Sequence, residues 1–97
     1  MTIKNFQHWV GQSWIDYKGA LPDKHLQMLF LVEEFGEVAE AIRKTQGDKD
    51  YKKTKIDLEE EMGDFLISFN TIAVEQGVDL EKAAKKAKQK IIDRHGG

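Results

Sequence analysis

The chain has 97 residues, a formal net charge of -2 and no cysteine. These values favour a single domain over residues 1–97 that associates with copies of itself, and they exclude disulfide frameworks, thiolate metal sites and thiol nucleophiles. No segment approaches the ~20 apolar residues that a membrane-spanning helix requires. The amino-terminal segment also contains no long apolar run, so we expect a cytoplasmic protein that binds no membrane.

Acidic and basic residues are unevenly distributed along the chain. Eleven of the 17 acidic residues lie between Glu33 and Asp64, whereas six basic residues crowd the C-terminal segment. An acidic centre beside a basic arm is typical of a metal site that handles an anion, because duplex DNA binding would require one broad basic face. We therefore expect no nucleic-acid partner.

The composition predicts an all-α fold with four helices, since the chain contains one proline and few β-branched runs. The first helix is predicted from the N-cap Thr2 to about Tyr17. Its apolar side comprises Phe6, Val10, Trp14 and Tyr17. The segment Lys18–Pro22 breaks this helix, and Asp23 then opens a second helix that continues to about Lys44. The apolar stripe of the second helix comprises Met28, Leu31, Phe35, Val38 and Ile42.

A loop at Thr45–Asp50 is predicted to precede a third helix, from Lys52 or Thr54 to Gln76. One apolar side of this helix comprises Leu58, Met62, Phe65, Phe69 and Ile72, and the opposite side comprises Ile56, Ile67 and Val74. A helix that is apolar on two sides predicts a subunit interface as well as a core. Gly77 ends this helix and Asp79 caps a fourth, which continues to about Arg94. Its predicted inward face comprises Leu80, Ala84, Ala87 and Ile91.

The second and third helices each carry a pair of carboxylates three residues apart. The pairs are Glu34 with Glu37 and Glu61 with Asp64, and this spacing places each pair on one helix face, roughly 60° apart. If the two pairs face each other, they form a four-carboxylate cluster that repels itself unless a cation binds there. A hard divalent cation that prefers oxygen ligands is the simplest candidate, namely Mg²⁺ with Mn²⁺ as a substitute.

Such a cluster is suited to phosphate chemistry. A metal-bound water has a lowered pKa and can attack phosphorus, and the ion offsets charge on the leaving phosphate. A spare carboxylate, Glu33 or Glu60, could orient or deprotonate that water. The predicted catalytic set is Glu33, Glu34, Glu37, Glu61 and Asp64. The C-terminal helix carries a basic ridge, and its members Lys86, Lys90 and Arg94 are predicted to bind the phosphate tail.

Other interpretations of these residues remain open. Acidic pairs at this spacing also occur on solvated helix faces. A di-iron site would need Glu-x-x-His, and none of His8, His25 and His95 follows a glutamate by three residues. Trp9 and Trp14 could stack on a base, although aromatic residues at helical spacing are more typical of a core.

The two acidic motifs also carry a family resemblance. Glu33-Glu34-Phe35-Gly36-Glu37 followed by Glu61-Met62-Gly63-Asp64 resembles the E-E-x-x-E…E-x-x-D signature of MazG-like nucleotide pyrophosphohydrolases, in the all-α NTP pyrophosphatase superfamily. The likeness covers about Gln27 to Arg94. Family members commonly carry a Lys-Asn pair near the end of the last helix, whereas here Lys90 precedes Ile91, so the resemblance supports Lys90 alone.

The resemblance implies an Mg²⁺-dependent hydrolase that cleaves a nucleoside triphosphate to the monophosphate and pyrophosphate and removes unwanted nucleotides. It implies metal binding by Glu34, Glu37, Glu61 and Asp64, in a dimer or a dimer of dimers. The alternative is a non-catalytic helical oligomerisation module with an acidic groove that binds metal or nucleotide. Base and sugar preference do not follow from the sequence.

Overall fold

The computed structural model describes residues 1–47 and 51–96. Within these ranges the chain forms helices and no strand, which confirms the predicted all-α class. The helices are α1 (Ile3–Lys18), α2 (Lys24–Gly47), α3 (Tyr51–Gln76) and α4 (Leu80–Arg94). None of the helices in the described part of the chain is both long and apolar enough to span a bilayer.

Side-chain caps fix the starts of α1 and α2 where the sequence predicts them. The Thr2 hydroxyl accepts a hydrogen bond from the Asn5 amide at 3.0 Å, and the Asp23 carboxylate accepts one from the His25 amide at 2.9 Å. These bonds satisfy amides that have no partner inside the helix.

The predicted loop at Thr45–Asp50 is wrong at its first three residues, which continue α2 to Gly47. The Thr45 hydroxyl donates to the carbonyl of Ile42 at 2.6 Å, a bond that a helical threonine can make without interrupting the backbone pattern. The rest of that prediction, residues 48–50, lies outside the described residues. Helix α3 begins at Tyr51, one residue before the earliest predicted start.

The helices α2 and α3 run antiparallel and form the most extensive helix contact. At one end of this pair, the Lys24 ammonium lies 3.6 Å from the Glu75 carboxylate. The buried side of α2 contains Gln27 and Ala41, with Leu31, Glu34 and Val38 half-buried between them. This arrangement places the middle of α2 beside the acidic half of α3.

The predicted apolar stripe of α2 is therefore only partly buried. Met28, Phe35 and Ile42 are 53%, 65% and 42% exposed, which corrects the prediction that they face the core of the subunit. Each lies one helix position, about 100° around the axis, from a residue on the buried side of α2.

Helix α1 packs antiparallel against the second half of α3. The Trp14 indole N–H donates to the Thr71 hydroxyl at 2.8 Å, and Val10 is 1% exposed. A Cβ at Gly11 would lie 3.1 Å from Val74 Cγ1, so the glycine permits the close approach of the two helices.

Burial on α1 and α3 agrees in part with the predicted faces. Tyr17 is 79% exposed, so its predicted place on the buried side of α1 is wrong. The second apolar side of α3 is covered by α1, as Ile67 and Val74 are half-buried. The side chain of Ile56, predicted on the same side, is outside the described part of the chain.

The turn between α3 and α4 sets the direction of α4. Gly77 adopts φ +67°, a left-handed conformation that glycine accommodates at a helix end. The Asp79 carboxylate accepts hydrogen bonds from the amides of Glu81 and Lys82 at 3.0 and 3.2 Å. The Gln7 side chain bridges α1 to this turn, since it donates to the Val78 carbonyl at 2.6 Å and accepts from the Leu80 amide at 2.9 Å.

Beyond this turn α4 leaves the rest of the subunit. It packs chiefly against α1, and none of its residues is buried. Leu80 is half-buried as predicted, but Ala84 and Ala87 are exposed and Ile91 is 55% exposed, so the rest of the predicted inward face of α4 is wrong for the single chain. A narrow, alanine-rich face can bury little apolar area. The hydrophobic effect therefore provides little free energy for packing α4 against the rest of the subunit.

The single chain is more open than a globular domain of its length. Its radius of gyration is 16.1 Å, whereas about 12.5 Å is expected for a compact domain of this size. Its accessible surface is 7561 Å², whereas about 5,700 Å² is expected for a folded monomer of this mass. Part of the excess is an α2–α3 apolar face consisting of Met28, Val32, Phe35, Met62, Leu66 and Phe69, each at least 43% exposed.

Candidate metal centre

The antiparallel pairing of α2 and α3 brings the two acidic motifs together. One carboxylate oxygen from each of Glu34, Glu61 and Asp64 lies within 4.8 Å of the other two. Glu34 and Glu61 are half-buried, and Asp64 is exposed. Three residues of the predicted metal-ligand set therefore share one point in the fold.

Glu37, the fourth residue of that set, lies beside the cluster and is exposed. Burial, followed by the charges of Glu37 and Asp64, raises the pKa of Glu34 from its ordinary value of 4.5 to about 6. A hydrogen bond with Glu37, followed by burial and the charge of Glu37 itself, raises the pKa of Glu61. Both shifts have the sign expected when carboxylates crowd together without a cation.

Two oxygens in the cluster have no partner among the described residues. Glu34 Oε2 and Glu61 Oε2 are hidden from solvent and accept no hydrogen bond. A buried charged acceptor without a partner is costly. A divalent cation that prefers oxygen ligands would satisfy both atoms and offset the repulsion, so this donor set fits Mg²⁺ or Mn²⁺.

A cavity of about 550 Å³ opens beside the cluster. Its lining residues are Glu33, Gly36, Glu37, Glu40, Ala41, Lys44, Asp57 and Glu61. Glu33, predicted as catalytic, thus lies in the same cavity as Glu37 and Glu61, whereas Glu60 is not among the lining residues. A space of this size next to a metal site can admit a phosphate chain if cations neutralise the carboxylates.

Three charged lining residues, Glu40, Lys44 and Asp57, are absent from the predicted site. The interval of seven residues from Glu37 to Lys44 and of four from Asp57 to Glu61 both return to nearly the same helix face. That periodicity was available in the sequence. The acidic pairs by themselves do not predict Lys44 as a site residue, because a lysine carries the opposite charge.

The predicted phosphate ligands on α4 lie elsewhere in the single chain. Lys86, Lys90 and Arg94 are exposed and do not line this cavity. They are carried by α4, whose main contact is with α1 rather than with the acidic segments of α2 and α3.

The two tryptophans have different environments. Trp14 is half-buried and bonded to Thr71, consistent with a core residue. Trp9 is 53% exposed and stacks on Phe6 with ring centroids 6.0 Å apart. Trp9 therefore lies on the outer surface of α1, so of the two interpretations left open by the sequence the core position applies to Trp14 and not to Trp9.

Residues 23–96 match the family profile described as the MazG nucleotide pyrophosphohydrolase domain. No curated protein gives a significant match to the chain. No solved structure gives a significant match either.

Proposed function

The chain belongs to the MazG nucleotide pyrophosphohydrolase family, and from this premise we propose that residues 1–97 form one domain that hydrolyses nucleoside triphosphates. The products are the nucleoside monophosphate and pyrophosphate, and the role is to clear unwanted or excess nucleotides. The observation that carries the proposal is the convergence of Glu34, Glu61 and Asp64 on one point, with two hidden oxygens that lack partners.

The metal ligands in this proposal are Glu34, Glu37, Glu61 and Asp64, and the ion is Mg²⁺, with Mn²⁺ as a substitute. When bound, the ion supplies positive charge to the phosphates and acidity to a coordinated water. Glu33 lines the same cavity and is exposed. Its carboxylate orients the attacking water and takes the proton that the water loses. The water oxygen forms a bond to the α phosphorus, the bond from that phosphorus to the oxygen bridging the α and β phosphates breaks, and pyrophosphate leaves with the bridging oxygen.

Self-association belongs to the same proposal. The α2–α3 apolar face continues through Phe65, whose ring centroid lies 6.2 Å from Phe35 and 6.3 Å from Phe69. The accessible surface of 7561 Å² exceeds the expected value by about 1,900 Å², which is more than the roughly 800 Å² that each partner buries in a standard interface. We propose that a second copy covers this face with its own, in a dimer or tetramer.

The α4 residues fit this assembly. Because Lys86, Lys90 and Arg94 do not line the cavity of their own chain, their proposed contact with phosphate requires the cavity of another subunit. The acidic character of that cavity and the basic character of α4 are complementary in charge.

Pyrophosphate release tests the function. The protein is incubated with individual NTPs and dNTPs plus Mg²⁺, and we expect release from at least one of them and none with EDTA present. Glu37→Gln and Asp64→Asn should each reduce the rate by at least about 10²-fold, since each removes a negative ligand that would hold the cation at the phosphates, while helicity by circular dichroism stays unchanged.

The matched control is Glu59→Gln, which removes a charge from the same helix. Glu59 is exposed, and its distance of two residues from Glu61 places it about 200° around α3, away from the cluster. It should retain wild-type activity. Nucleotide or metal binding without pyrophosphate release from any substrate would instead support the non-catalytic module, and full activity of both cluster variants would refute the proposed ligands.

A further inference from the structure

The cavity beside the acidic cluster contains one basic side chain among its described lining residues. That residue is Lys44, in the last turn of α2, and the acidic residues that line the same cavity are Glu33, Glu37, Glu40, Asp57 and Glu61. A polyphosphate entering such a cavity meets repulsion wherever no cation is present. A cation bound by the cluster of Glu34, Glu61 and Asp64, called here the Glu34 cluster, would neutralise the negative charge in one part of the cavity. Lys44 is placed to neutralise it in another part.

No described residue forms an ion pair with the ammonium of Lys44. The nearest acid on its helix, Glu40, pairs with Arg43, whose Nη2 and Nε lie 2.6 and 3.2 Å from the Glu40 oxygens. This hydrogen bond with Arg43 is the main cause of the lowered pKa of Glu40, and the charge of Lys44 contributes less.

The direction of a helical side chain places this ammonium over the cavity. Side chains on a helix lean toward its N-terminus, so Lys44 leans back over the turn that carries Glu40. Lys44 and Glu37 are about two turns apart, or roughly 10 Å along α2, on nearly the same face. A phosphate chain that starts at the Glu34 cluster and runs along this face toward the end of α2 would end near Lys44.

We propose that Lys44 binds the distal phosphates of the triphosphate, the part that departs as pyrophosphate. This inference rests on the proposed hydrolysis and adds a direction to it. The distal phosphates lie toward the C-terminal end of α2, and the nucleoside lies toward the opposite end of the acidic cluster. Lysine suits this role because its compact ammonium donates several hydrogen bonds to phosphate oxygens and offsets the charge that develops on the leaving group.

Calorimetric binding separates phosphate recognition from a purely structural role. The ligands are the α,β-methylene analogue of the best-hydrolysed triphosphate and the corresponding monophosphate, each with Mg²⁺ and the full chain. Lys44→Gln should weaken binding of the analogue by about ten- to a hundredfold, the range for a hydrogen bond to a charged group. The Kd of Lys44→Gln for the monophosphate should stay within about twofold of the wild-type Kd, because the monophosphate has no distal phosphate.

Two further variants complete the comparison. Lys44→Arg keeps the charge and should retain most of the affinity for the analogue. Lys4→Gln makes the same charge change near the N-terminus of α1, where the neighbouring Gln7 contacts Val78 beyond the end of α3, far from the cavity. It should alter neither Kd.

Other results overturn the assignment. If Lys44 only relieves repulsion among the carboxylates, Lys44→Gln changes Mg²⁺ affinity without nucleotide and weakens both nucleotides equally. If the wild type is active and Lys44→Gln binds the analogue as tightly as the wild type does, Lys44 does not bind the distal phosphates. The proposed hydrolysis is not affected by that result. A wild-type protein that binds neither nucleotide and releases no pyrophosphate refutes the function and this inference together.

Discussion

Glu34 is the residue at which function and stability oppose each other most directly. Its side chain is half-buried, one of its oxygens has no partner among the described residues, and its neighbours in the fold are acidic. A position chosen for stability would carry an apolar or neutral side chain. Strain of this kind is typical of a site whose ligand supplies the missing interaction.

The raised pKa of Glu34 predicts the pH dependence of stability without metal. Because this pKa is about 6 in the folded chain and ordinarily 4.5, the folded state binds the extra proton more tightly than the unfolded state does. Its stabilising contribution is complete below pH 4.5 and is lost as the pH rises through 6. In EDTA, Glu34→Gln should therefore abolish this part of the pH profile and raise Tm at pH 7.5 by roughly 2–4 °C.

Calorimetry or fluorimetry measures both effects, and Mg²⁺ provides the converse test. Wild-type Tm should rise with Mg²⁺ at pH 7.5, whereas that of Glu34→Gln should rise much less. Glu59→Gln should behave as wild type in both experiments. A Glu34→Gln protein that melts below the wild type in EDTA would show that the carboxylate stabilises the metal-free fold.

Among the elements, α4 depends most on contacts at one end. Its start is held by the Asp79 cap and by the two hydrogen bonds of Gln7, whereas its later residues are exposed except for the half-buried Ile92. The direction of α4, and with it the place of its basic side chains, is therefore decided within the turn after Gly77. A helix held at one end is expected to open locally at lower free energy than α3, which packs on two sides.

Gln7→Ala should loosen the start of α4 without unfolding the subunit. The loss of the two bonds leaves the Val78 carbonyl and the Leu80 amide to water, a net cost of about 1 kcal/mol. Hydrogen exchange of the amides in the first turns of α4 should accelerate by roughly fivefold. Mass spectrometry measures the exchange in peptides from α4 and, as a reference, in peptides from α2.

Gln12→Ala is the control for this variant. Gln12 also lies on α1, but among the described residues its side chain bonds only to Asp16 of the same helix, at 2.9 Å. It should leave exchange in α4 unchanged. Equal exchange of α4 in wild type and Gln7→Ala would mean that the Asp79 cap and the glycine turn hold α4 without the bridge.

At the scale of the whole molecule, the single chain leaves many large apolar side chains exposed. Its radius of gyration is 16.1 Å, and apolar side chains of α2 and α3 remain exposed on the α2–α3 apolar face. A chain of this length gains most by burying such a surface against a second copy. Two antiparallel helix pairs that meet in this way form a four-helix bundle, with α1 on the outside of each pair.

Phe35→Glu should dissociate the proposed oligomer. Phe35 is 65% exposed in the single chain, so a charge there costs little in the monomer but is unpaired in the interface. Sedimentation should show wild type as a dimer or tetramer and the variant at monomer mass. Tyr17→Glu, at a side chain that is 79% exposed on α1, is the matched control and should sediment as wild type. A wild-type monomer at micromolar concentration would contradict the proposal.

Local patterns determined much of this protein before any tertiary contact was known. Cap residues such as Thr2 and Asp79 mark helix starts because they bond to amides two or three residues away, and the acidic pairs share a face because helical spacing requires it. The family likewise follows from the sequence alone, because residues 23–96, which contain both acidic motifs, match its profile.

Only the tertiary structure decided what each apolar or charged face meets. Periodicity shows that the stripe through Phe35 is apolar, but not that its member Val38 is half-buried while Phe35 itself stays exposed. It likewise does not show that Lys44 enters the acidic cavity while the lysines of α4 stay outside it. The physical reason is that the hydrophobic effect has no direction: a stripe must be buried, but helix crossing and turn geometry select the surface that buries it.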